Sequence, residues 1–179
     1  MRQVAVAVVT LVCGLVGAAG ASAQPRGAED QPSNQLGFYV GRWASEGQAK
    51  GGPTGAFGRV TGEETCAWFS GGPSLVCRET SKDSLGETDS IYILAYDAGK
   101  KVYTMYGTDN YGVVYAATGT LEKDVWRWVG ETRKDGVATP TRYTFRPSGT
   151  GARSMEVETS TRGVWSRSAN LTYKRAARQ

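Results

Sequence analysis

The chain has 179 residues, a formal net charge of +4, three cysteines and no histidine. The missing histidine excludes Ser-His-Asp and Cys-His mechanisms and removes the commonest zinc ligand. Charges alternate in sign along most of the chain, and Lys174, Arg175 and Arg178 cluster only at its end, so no nucleic-acid footprint is expected.

Arg2 is followed by an apolar run from Val4 to Ala19 and then by Ala21-Ser22-Ala23. That is the order of a secretory signal with an A-x-A cleavage site, and the run is too short to span a bilayer comfortably. Residues 1–23 are therefore expected to be removed, which makes Gln24 the mature N-terminus, leaves no stable membrane anchor and places the protein in the periplasm or outside the cell. A lipoprotein reading through Cys13 fails because Val12 stands where a small residue is needed. What remains is one domain's worth of chain.

Residues 24–35 are rich in Pro, Gly and charge and read as a flexible leader. Ser33 or Asn34 is expected to cap a single helical turn ending at Gly37 or Gly41. Ten strands then follow at spacings of 8 to 14 residues: 42–50, 58–69, 74–81, 88–96, 101–108, 112–121, 125–133, 139–146, 153–160 and 164–174. Short links between them mean hairpins. An open meander of this length would expose two long edges, so the fold class is all-β, an antiparallel up-and-down barrel over 36–175 with a short N-terminal helical turn and a basic tail at 176–179.

Several registers follow from the need for one apolar face. A four-residue loop Ser70 to Pro73 sets Cys66 opposite Cys77 in a pair with close Cβ atoms, and export favours a disulfide there. A redox dithiol lacks both C-x-x-C spacing and a helix N-terminus. With Asp135-Gly136 as a two-residue turn, Trp126 pairs Phe145 and Trp128 pairs Tyr143 on the inner face. In the last hairpin a three-residue turn Thr161-Arg162-Gly163 keeps Trp165, Ala169, Leu171 and Tyr173 inside and brings Arg167 with them, opposite Val157. The hairpin 88–108 is apolar on both faces and its facing stays open; the helical turn or a second subunit covers the outer side, the latter giving a homodimer through Tyr92 and Tyr103.

Gly41-Arg42-Trp43, at the start of strand one behind a helical turn, is similar to the G-x-W signature of lipocalin-like (calycin) barrels. That resemblance implies a structural Trp43 crossed by an arginine from the last strand, here Arg167 or Arg175. The order G-R-W-x-x-E-G, a W-F-S-G-G hairpin, Ala95-Tyr96-Asp97 with Lys101 and Tyr103, Gly119, and Leu171 to Arg175 resembles the exported bacterial family called domain of unknown function 1579. That family implies a lipocalin-like fold and no established activity. The opening also resembles nitrobindin-like haem barrels, which bind iron through a histidine this chain lacks.

Carboxylates are the chemistry that remains. The disulfide register sets Glu64 opposite Glu79, a pair suited to holding a cation, to acid-base work or to neutralising Arg167, or else simply solvated at a rim. The leading expectation is a binding module rather than an enzyme, with no cofactor and no metal. Its lumen, lined by Trp126, Trp128, Tyr143, Phe145, Met155 and Trp165, takes a small apolar or anionic ligand whose charged end meets Arg167. The competing expectation is a filled barrel acting as an envelope or protein-interaction module, and a carboxylate enzyme comes third.

Overall fold

The computed structural model describes residues 31–51 and 55–176, so the signal segment, residues 24–30 of the leader and residues 177–179 of the tail lie outside the described residues. Ten antiparallel strands form one closed barrel in which each strand pairs with its neighbours in sequence and the first pairs with the last. They are β1 (Gly41–Gly51), β2 (Ala56–Trp68), β3 (Leu75–Asp83), β4 (Gly86–Asp97), β5 (Val102–Asp109), β6 (Val114–Glu122), β7 (Val125–Lys134), β8 (Val137–Pro147), β9 (Ala152–Thr161) and β10 (Val164–Arg175). An even number of up-and-down strands makes β1 and β10 antiparallel, and they zip from Trp43 opposite Arg175 to Ala49 opposite Ala169. Among the described residues no sheet edge is left unpaired.

The connections after β2, β4, β6 and β8 share one end of the barrel with the 3-10 turn Pro32–Phe38, which closes it. Pro32 starts this turn, where its fixed φ suits the helix and its missing N–H is not needed. No side chain caps it, contrary to the expectation for Ser33 or Asn34. Ser33 is buried, and Leu36 is fully so. Residues 32–35 are therefore part of the closing turn and not of a flexible leader. Tyr103 anchors the turn by donating its hydroxyl to the Pro32 carbonyl at 2.8 Å.

The disulfide Cys66–Cys77 forms in the expected register, with Trp68 opposite Leu75 and Glu64 opposite Glu79. The β7–β8 register also forms as expected, Trp126 opposite Phe145 and Trp128 opposite Tyr143. The last hairpin differs. Its turn has two residues, Arg162 and Gly163, both at positive φ as a type I′ turn requires, and Thr161 faces Val164. A β-bulge at Ser168 then shifts the register, so that Ala169 meets Val157 and Leu171 meets Met155, while Arg167 meets Glu158. The bulge keeps Ala169, Leu171 and Tyr173 inside and turns Trp165 and Arg167 outward.

The open-faced hairpin resolves with Leu94, Tyr103 and Met105 buried in the interior and Tyr92 packed against them. Ile93 and Tyr106, paired with each other, face out. The closing turn covers the inner side of the barrel end, and Tyr92 and Tyr103 are not available for an outer dimer contact.

Candidate functional site

The site is built from the inward positions of all ten strands. At the closed end, Tyr39 follows the 3-10 turn and inserts into the barrel among Trp126, Trp128 and Phe145, with ring centroids 5.4, 6.3 and 5.3 Å away. Two indoles hold it: Trp43 Nε1 donates to the Tyr39 carbonyl at 2.9 Å, and Trp128 Nε1 donates to the Tyr39 hydroxyl at 2.8 Å. Trp126 stacks on Trp128 at 5.8 Å. This ring cluster floors the lumen.

Two guanidinium groups lie over the Trp43 ring. Arg175 sits 4.6 Å from its ring centroid and Arg153 sits 4.2 Å away. Arg175 therefore fills the position expected for a last-strand arginine, and Arg167 does not. Gly41, at φ +132°, leaves the space: a Cβ there would lie 2.5 Å from Arg175 Nη1.

Arg153 is the inward arginine. It enters from the start of β9, is completely buried and forms an ion pair with Glu64, itself 1 % exposed. Burial acts against the Arg153 charge, but the Glu64 carboxylate and the neighbouring tyrosines outweigh it and raise its pKa. Tyr92 donates its hydroxyl to the other oxygen of Glu64 at 2.6 Å. Of the roles open to Glu64, the structure gives it charge neutralisation, of Arg153 and not of Arg167. Glu64 also lies beside Cys66 and Cys77. With both sulfurs in a disulfide and the carboxylate engaged by an arginine, that donor set does not fit a metal ion.

Above this level the lumen is not filled. A cavity of about 260 Å³ remains. Leu94, Met105, Trp128, Phe145, Met155 and Leu171 make its wall largely apolar, and Ser81, Thr88 and Ser90 add hydroxyls on the side of the β3–β4 connection. Glu79, half-buried, is the one charged residue on the wall among the described residues. Its described hydrogen-bond partner is the Tyr173 hydroxyl, which donates to it at 3.2 Å. Burial, then the nearby Glu64 charge, raise the Glu79 pKa to about 7. Burial and the same two carboxylates hold the Tyr92 and Tyr173 hydroxyls protonated well past their usual range.

Of the residues expected to line the lumen, Trp128, Tyr143, Phe145 and Met155 do so. Trp126 lies in the floor beneath. Trp165 and Arg167 are on the outer surface: Arg142 stacks on Trp165 at 3.6 Å, and Arg167 lies 5.9 Å from the Phe57 ring. An anionic ligand end meeting Arg167 is thereby excluded. Arg153 is in phase with Met155 and Val157 on one strand, the one mark in the sequence of its inward facing.

No protein-family model matches the chain, and no curated protein matches it in sequence. Membership of the domain of unknown function 1579 family is accordingly not established. Solved structures do match in shape. The chain is similar to Rv2717c from M. tuberculosis, with a TM-score of 0.61 at 16% identity over 82% of this chain and 99% of that one. It is also similar to the S-type phycobiliprotein lyase CPES from Guillardia theta, with a TM-score of 0.53 at 12% identity over 80% and 93% of the two chains. At these identities the likeness is one of fold, a lipocalin-like ten-stranded barrel.

Proposed function

We propose that the protein binds a small, mostly apolar molecule inside its barrel. The observation that carries this reading is the closed-ended cavity of about 260 Å³ with a largely apolar wall. Apolar walls around unfilled space favour an apolar occupant, because each buried CH₂ contributes about 0.8 kcal/mol. At about 30 Å³ per water in the liquid, the space suits a molecule of roughly nine non-hydrogen atoms. The disulfide and the signal-like N-terminal sequence support a periplasmic or secreted location. We assign the protein binding and no reaction.

The test is titration with 1-octanol, read by tryptophan fluorescence, alongside native mass spectrometry of protein purified from its own host. Saturable octanol binding that is abolished in Ala49→Trp, which places an indole on the cavity wall, supports the reading. Absence of both saturable binding and a retained small molecule overturns it.

A second reading, an interaction module, is favoured by the outer face of β4 and β5, where Ile93 is 47% and Tyr106 59% exposed. Their direct pairing makes one continuous apolar spot.

A further inference from the structure

The interior charges of the barrel do not balance. Glu64 is neutralised by Arg153 at the floor, whereas Glu79 reaches the cavity wall with a tyrosine hydroxyl as its described hydrogen-bond partner and no described ion pair of its own. Arg153 is paired with Glu64 through Nη2, and its Nε and Nη1 make no described hydrogen bond to Glu79; its charge favours the Glu79 carboxylate less than burial and the Glu64 charge oppose it. No other described residue lining the cavity is basic. The lumen therefore combines an apolar wall, an aromatic floor and one unmatched carboxyl group.

We propose that the ligand of this cavity is an amphiphilic amine, its apolar body against Leu94, Met105 and Leu171 and its ammonium group paired with the Glu79 carboxylate. This inference rests on the lumen-binding reading above. An ammonium in the cavity supplies a counter-charge that pairs with Glu79 in a charge-assisted hydrogen bond. A carboxylate ligand would instead set a third anion beside Glu79 and Glu64, in surroundings that screen poorly.

Ionisation of Glu79 then controls binding. The titratable and charged groups facing it are Glu64 from β2, Tyr92 from β4, Arg153 from β9 and Tyr173 from β10. Tyr39, Tyr115 and Tyr143 adjoin the same space, while β1, β5 and β7 contribute Ala49, Met105 and Trp128, which do not titrate. An alkylammonium stays charged to about pH 9, as a lysine amine does, so Glu79 is the group that changes between pH 5.5 and 8.5.

The experiment compares octylamine, 1-octanol and octanoate on the full mature protein by isothermal titration calorimetry at both pH values. Octylamine is expected to tighten about tenfold or more from pH 5.5 to 8.5, octanol to change little, and octanoate to bind at least tenfold more weakly than octylamine at pH 8.5. In Glu79→Gln the pH dependence for octylamine should vanish. Octanol binding without any preference for octylamine over octanoate overturns the amine assignment while leaving lumen binding standing. Failure of all three probes overturns both. Should Glu79→Gln not fold, the wild-type comparison of the three probes decides alone.

Discussion

Arg153 and Glu64 form an ion pair that is sealed from solvent at both ends, one side chain wholly buried and the other 1 % exposed. Among the described residues Arg153 Nε and Nη1 have no hydrogen-bond partner, and the group is instead surrounded by the rings of Phe38, Tyr39, Trp43, Phe145 and Tyr173. Removing one member of such a pair leaves a buried charge uncompensated, at a cost of about 3–5 kcal/mol, whereas replacing both by uncharged groups is far milder. Glu64→Gln and Arg153→Met should therefore each lower stability by that order. The double variant should lose clearly less than the sum. Urea denaturation of the four proteins measures this coupling; additive losses would show that the pair is not the unit that matters.

Glu79 gives the opposite sign. Burial and the nearby Glu64 charge push its carboxyl from the ordinary 4.5 up to about 7, so the folded state holds this proton more tightly than the unfolded chain does. The stabilisation is fully present below about pH 4.5 and is lost as pH rises to about 7, with at most about 3 kcal/mol at stake. Glu79→Gln does not ionise. Its stability relative to wild type should be near neutral at pH 4.5, climb with pH and level off above pH 7. A pH-independent difference in urea midpoints would contradict this.

Arg167 carries a third expectation, because it stands on the outer wall opposite Glu158 and near the Phe57 ring. Arg167→Met should change stability by no more than about 0.5 kcal/mol and leave octanol binding as it was. A melting drop as large as that of Arg153→Met would refute the placement.

The difference between these two arginines marks where the sequence is informative. Cys66 and Cys77, and the indole pair Trp126 and Trp128, were legible because a period of two residues and a recognisable turn fix each register, and a slip of one residue would turn the whole face over. The same logic failed at β10, since a bulge adds one residue without any glycine or proline to announce it: Arg167-Ser168-Ala169 carries no such mark. An inward Arg167 requires a three-residue turn, but the φ values of Arg162 and Gly163 are those of a two-residue one. Arg153 was hidden differently. Its charge argued for the outside, and only contact with Glu64, 89 positions earlier, makes burial tolerable. The cavity too was beyond reach, because whether inward side chains meet across a lumen depends on barrel dimensions and not on facing alone.

The closing turn can be probed at one atom. Trp128 Nε1 lies in the buried floor and donates to the Tyr39 hydroxyl, the acceptor the structure gives it. Tyr39→Phe keeps the ring that packs on Trp126 and Phe145 but removes that oxygen, leaving a buried donor unsatisfied at a cost of about 1–3 kcal/mol. Trp128 also lines the cavity, so its emission should change in the variant, and octanol binding should weaken if the freed indole turns toward the space. Tyr39→Leu removes the ring contacts as well and should cost more, about 3 kcal/mol or above. Thermal melts and tryptophan emission spectra of the two variants check the order. Equal losses would mean that the hydroxyl alone, and not the ring, seats the turn in the barrel.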